Sequence, residues 1–188
     1  MTSRLRKNLH KMTRKELNNL AKNPYTDDDI QVWLAQHSHT QARYYLAANG
    51  NLCKEAVETL MAGRSRIIKG LLVGSGNIQD PDQIRDIYSQ LRFKVDEWRI
   101  SNFFVRNYWY RDNPVATPSD VLDRIHEDFL EDKNDKGVRR FYKKNLQRGL
   151  AQHPNCSVKL AIRLSHSDIP DVKKAGFDAL IRLGAQKD

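Results

Sequence analysis

Leu20-Ala21-Lys22-Asn23-Pro24 returns as Leu46-Ala47-Ala48-Asn49-Gly50 and, in degraded form, as Leu72-Val73-Gly74-Ser75-Gly76. The step from Leu20 to Leu46 is 26 residues, and so is the step from Leu46 to Leu72. Leu150-Ala151-Gln152-His153-Pro154 is a fourth copy, and Tyr110-Arg111-Asp112-Asn113-Pro114 reads as a weak fifth. Self-similarity at such a period is the mark of a stacked helical repeat. Proline cannot continue a helix, and Gly or Asn tolerates the left-handed turn that closes one. The phrase therefore reads as a helix stop between units. A lone unit would leave its apolar face in water, so several must stack to make a core.

The segments between the stops read as helices. Thr13 with Glu16 forms a capping box, and Thr26 followed by Asp27, Asp28 and Asp29 puts carboxylates on a helix N-terminus. Asp80-Pro81 and Thr117-Pro118 each place a capping side chain before a proline at the first helical position, and Asp168 opens the last helix in a similar way. The predicted pairs are 26–36 with 39–48, 52–62 with 65–73, 80–91 with 94–110, 118–131 with 135–149, and 155–164 with 168–183. Ile30, Trp33 and Leu34 are expected to face Ala42, Tyr45 and Leu46. No stretch alternates with period 2, so no sheet is expected. The third and fourth units run long, which places enlarged helices or insertions there.

At 188 residues the chain fits a single domain over 1–188, with a basic N-terminal helix in 1–22 capping repeats over 23–188. Its longest strongly apolar stretch, Gly70-Leu71-Leu72-Val73-Gly74, is far short of the roughly 20 residues of a membrane-spanning helix, so no membrane association is expected. Cys53 and Cys156 lie far apart with no paired spacing, which argues against a disulfide framework or zinc site and for a cytoplasmic setting. The basic, acid-poor start also fits an organellar targeting peptide.

The run Arg43-Tyr44-Tyr45-Leu46-Ala47-Ala48-Asn49-Gly50-Asn51, after the Leu34-Ala35 helix end, resembles the variant leucine-rich repeat family. Asp171-Val172-Lys173 echoes that family's Val-Arg element. The resemblance covers about half of the chain and implies an all-α, right-handed α-solenoid, a superhelix of about five helical hairpins. Units of 26 residues or more give the expectation a HEAT-like cast. The cysteine-rich iron–sulfur segment found beside some such repeats has no counterpart here.

The net charge of +9 is unevenly spread. Residues 136–163 contain no acid, and Arg139, Arg140, Lys143, Lys144 and Arg148 share one side of a helix whose other side carries Val138, Phe141, Tyr142, Leu146 and Leu150. With Arg4, Arg6 and Lys7 near the N-terminus, these cations are the candidate contacts for nucleic acid or an acidic partner. A solvated basic face with no partner is the plainer alternative. The preceding helix carries Asp120, Asp123, Glu127, Asp128, Glu131 and Asp132, and is expected to blunt the ridge's field if it pairs with it. The stretch from Trp98 to Arg111 interleaves aromatics with arginines, a mixture that can stack bases but more often builds core.

Catalysis finds little support. Gly70, Gly74 and Gly76 lack a following Gly-Lys-Ser/Thr and fall at a unit boundary. His37 and His39 bracket a turn without a third ligand at metal spacing, and His126-Glu127 lacks the second histidine of a zinc protease. No cofactor or metal is implied, though a site assembled from distant repeats would leave no mark in the sequence. A HEAT-like solenoid with aromatic and basic side chains resembles, at fold level only, the helical-repeat alkylpurine DNA glycosylases. The expectation is a non-catalytic scaffold for a protein or peptide partner, with DNA binding through the basic ridge as the alternative.

Overall fold

The computed structural model describes residues 8–92, 97–105, 116–130 and 138–184. Among these every regular element is helical. After a helical turn at 8–11 come α1 (Arg14–Lys22), α2 (Asp28–His37), α3 (Thr40–Ala47), α4 (Lys54–Ala62), α5 (Arg66–Gly74), α6 (Pro81–Leu91) and α7 (Glu97–Ile100), the last continued by a π-helix (Ser101–Val105). Then follow α8 (Ser119–Leu130), α9 (Val138–Gln152), α10 (Val158–Ser165) and α11 (Pro170–Arg182). The packing is consistent with a helical repeat. The phrase at 110–114 lies outside the described residues.

The phrase-bearing helices α1, α3, α5 and α9 line up in one row with the π-helix and α11. Helix α1 packs on α3, α3 on α5, α5 on the π-helix, the π-helix on α9, and α9 on α11. In the other row α2 packs on α4. Between and within the rows lies one apolar core that includes Trp33, Leu34, Leu46, Leu72, Ile84, Tyr88, Phe104, Leu122, Leu146, Leu150 and Leu160, all buried. Ala42 is also buried, while Ile30 and Tyr45 pack against the core only in part. Phe103 and Phe104 belong to it, so the described part of the aromatic stretch builds core.

The phrase does more than end helices. Asn49 is fully buried and donates through Nδ2 to the carbonyls of Ala21 at 3.4 Å and Asn23 at 3.0 Å, the second and fourth positions of the previous copy. One unit on, Ser75 Oγ donates to Ala47 at 2.8 Å and Asn77 Nδ2 to Asn49 at 2.7 Å, the same two positions. In the C-terminal copy, one guanidinium nitrogen of Arg182 donates to Ala151 and His153, at 3.0 Å each. The last carbonyls of a helix have no partner within it. Three different chemistries fill the same vacancy. Gln31 adds a second stitch, donating to Thr26 and Asn51 while accepting from the Cys53 amide.

Local chemistry explains most of the boundaries. The Thr13–Glu16 capping box forms, with the Thr13 amide donating to Glu16 at 2.7 Å. Asp80 accepts from the Gln83 amide at 2.8 Å ahead of Pro81. Three caps differ from the sequence reading. Thr26 turns back to donate to the Leu20 carbonyl at 2.7 Å, and Asp27 is the N-cap residue of α2. Helix α8 begins one residue late, with the Pro118 carbonyl accepting from Val121 and Leu122, while the buried Thr117 hydroxyl has no hydrogen-bond partner. Ile169, not Asp168, is the N-cap residue of α11, because Pro170 occupies the first helical position.

Two glycines permit close packing. A Cβ on Gly70 would sit 2.2 Å from the Phe103 ring, and one on Gly176 would sit 2.3 Å from the Ser165 backbone nitrogen. Gly76 has φ +78°, the left-handed turn that a unit boundary requires.

Candidate functional site

The two rows of helices differ in charge. Over their spans, the helices of the row that starts at α1, namely α1, α3, α5, α7 with its π-helix, α9 and α11, sum to a formal +11, and the intervening helices α2, α4, α6, α8 and α10 to −5. Exposed cations recur along the first set: Arg14, Lys15 and Lys22 on α1, Arg66 on α5, Arg99 on α7, and Lys173 and Lys174 on α11. Lys22 lies 4.0 Å above the Tyr45 ring, which holds its ammonium between neighbouring units. The cationic ridge predicted from sequence is one segment of a longer row.

On α9, Lys143, Lys144 and Arg148 are half-buried. Lys144 forms an ion pair with Asp171 on α11. That pairing, with Arg148 and Lys174 nearby, holds the Asp171 carboxyl below its ordinary range. Arg4, Arg6 and Lys7 lie outside the described residues, as do the side chains of Arg139 and Arg140.

The described carboxylates of the acidic helix turn elsewhere, while Glu131 and Asp132 lie outside the described residues. Asp120 on α8 accepts two bonds from Arg85 on α6, at 2.8 and 3.0 Å, and this contact holds its carboxyl below the ordinary range. Asp128 accepts from Tyr88 and from Arg92, each at 2.8 Å. Burial first, and then the Asp128 contact, push the Tyr88 phenol far above its ordinary value. On the other side, Asp123 accepts from Ser157 at 2.8 Å and Glu127 from Arg163 at 3.1 Å, which lowers the Glu127 carboxyl. These carboxylates therefore bridge α8 to the acidic row's own neighbours, α6 and α10 with their flanking turns. Among the described residues, the ridge's ion pair is with Asp171 instead.

The remaining candidates sort by geometry. His37 is exposed and stacks near Trp33, with ring centroids 5.6 Å apart, while His10 meets Trp33 edge-on at 5.1 Å. No group of three or more His, Cys, Asp or Glu is placed to hold a metal among the described residues. Burial pushes the Cys156 thiol up to about 11. An open cleft of about 660 Å³ lies between the turns 24–29 and 51–53, rimmed by Tyr25, Asp27, Asp28 and Asp29. No helix among the described residues is long and apolar enough to cross a membrane.

Sequence reasoning overlooked Arg66 and Lys174, and met Arg99 only in the aromatic–arginine stretch and Lys173 only in the repeat echo, because each sits alone or in a pair amid mixed charge. The available signal was position, since each lies in a helix that ends in the phrase or takes its place in the row. Asp171 was seen only as part of a repeat echo, and its reach to Lys144 is a tertiary fact. No family model, no curated protein and no solved structure matches the chain.

Proposed function

We propose that the chain is a non-catalytic helical-repeat scaffold that binds nucleic acid along the row of helices that runs from α1 to α11. The architecture in this reading is a right-handed superhelix of about five hairpins, as the resemblance to variant leucine-rich repeats implies, in a cytoplasmic setting. One observation carries it: cations recur on successive helices of an unbroken row, while the acids concentrate in the other row and bond to one another's neighbours. An extended polyanion matches such a row, because each helix–helix step of about 8–10 Å offers another cation to another phosphate. The sequence alone favours a protein or peptide partner, chiefly because the acidic helix was expected to quench the ridge. Its carboxylates engage Arg85, Arg92 and Arg163, which weakens that objection.

The test is fluorescence anisotropy with duplex DNA across a salt series. If Arg139, Arg140, Lys143 and Arg148 each meet a phosphate while Lys144 stays paired with Asp171, log affinity falls against log salt with a slope near −3.6, from about −0.9 per contact. Arg140→Glu with Lys144→Glu should remove most of the binding. Absence of binding at low salt, or indifference to the double reversal, would overturn the reading. A peptide partner is the second reading, carried by the cleft at 24–29 and 51–53. Its exposed Tyr25 and three aspartates suit a basic peptide.

A further inference from the structure

We propose that Asp171 is a built-in competitor for the anion that the cationic row binds, an inference that rests on the reading above. The carboxylate belongs to α11 and reaches across to Lys144 on α9, the neighbouring helix of the same row. Arg148 of α9 and Lys174 of α11 act on the same carboxylate, so three cations from two helices converge on it. A phosphate oxygen would meet this arrangement on docking, and Asp171 supplies the anion from within the chain. The other described acid of the row with an assigned partner, Glu16, is taken up in its own capping box with Thr13. Asp171 is the one whose ion pair crosses to the next helix.

The pair is accessible. The Lys144 and Asp171 side chains are 36% and 55% exposed, so a ligand can exchange for Asp171 without unfolding either helix. Exposed ion pairs contribute little to stability, which makes the contact easy to break. Yet while it is formed it withholds Lys144 from the partner and adds a negative charge where phosphates would lie. The row's affinity is thereby held below what its cations would otherwise give. The exchange also sharpens selectivity for densely charged ligands, because only these recover more than the lost pair.

The experiment measures 20-base-pair duplex DNA binding for the wild type, Asp171→Asn, Lys144→Ala and the double variant, each across a salt series. Asp171→Asn should bind about three- to tenfold more tightly, and its salt slope should steepen by about one contact, roughly −0.9. Lys144→Ala should cost little in the wild type and much more in the Asp171→Asn background, a non-additivity expected of coupled sites. Asp171→Glu keeps the charge and should stay near the wild type. Thermal unfolding of each variant separates a folding defect from a binding one. If the wild type binds with strong salt dependence but Asp171→Asn changes neither affinity nor slope, the competitor role is wrong and the cationic row stands. If the wild type binds no DNA at low salt, or binds polyglutamate more tightly than DNA, the underlying nucleic-acid reading falls instead.

Discussion

Asn49 and Asn23 hold the same position in successive copies of one phrase, and Asn49 Nδ2 donates to the Asn23 carbonyl at 3.0 Å. The side chain of one unit thus completes the backbone of the unit before it. Asn49 also donates to Ala21, and its Oδ1 accepts from the Asn51 amide at 3.1 Å.

Asn49→Ala removes all three bonds and leaves the buried Ala21 carbonyl without this donor, while the Asn23 carbonyl, on an exposed residue, keeps the Thr26 amide. An unsatisfied buried polar group costs about 1–3 kcal/mol, and the expected loss of stability is of that size. Asn49→Asp should be worse at neutral pH, because it sets a carboxylate against two carbonyl oxygens. Urea midpoints at constant slope measure both, and an Asn49→Ala midpoint equal to the wild type would refute the joint.

The two tight glycines separate by what they touch. Gly176→Ala drives a Cβ into the α10 backbone at Ser165 and Leu164, so the helices must part, at a cost of about 1–3 kcal/mol or more. For Gly70→Ala the three nearest atoms all belong to the Phe103 ring. Phe103→Leu should therefore restore part of the Gly70→Ala loss in thermal unfolding. Equal losses with and without Phe103→Leu would show that the ring is not the obstacle.

Acid should loosen the bridges of the acidic row. Asp120 and Glu127 are held below their ordinary values of 3.8 and 4.5 by Arg85 and Arg163. A carboxyl lowered by folding adds stability above its unfolded value and loses it as pH falls through the folded one. Stability should thus decline from about pH 4.5 downward, and Asp120→Asn should flatten that decline. Urea unfolding at a series of pH values reads the slope, and an unchanged slope in Asp120→Asn would exclude the Arg85 contact as its source.

The two thiols should differ in reactivity. Cys156 is buried with its thiol pushed up to about 11, whereas Cys53 is half-buried at a turn. A disulfide reagent at pH 8 should titrate one thiol in the native protein and both in urea. Rapid modification of Cys156 in the folded state would contradict its burial.

Much of the fold was legible because helix stops and caps are local. The phrase, the Thr13–Glu16 box and Asp80-Pro81 placed the boundaries of α1 through α6 within about two residues, the usual scatter of such ends. Thr117 and Asp168 misled because their prolines sit one residue off the assumed register. The joints were not legible. Asn49, Ser75 with Asn77, and Arg182 fill equivalent places with unlike side chains, so no pattern search over residue types links them. The cationic row was half legible: α9 announces itself by density and Arg99 stood in the aromatic–arginine stretch, but Arg66 and Lys174 join them only once the helices are placed side by side.

The joints are addressed to main-chain carbonyls, which every residue carries. Selection on such a seam acts on backbone position rather than on residue identity, so an amide, a hydroxyl with an amide, or a guanidinium can each inherit the role. A lineage built this way can rewrite its repeats almost letter by letter, and lengthen the array by duplication, without ever losing a working seam. The phrase can thus fade from Leu20 to Leu72 while the seam is kept, because the continuity lies in the peptide groups.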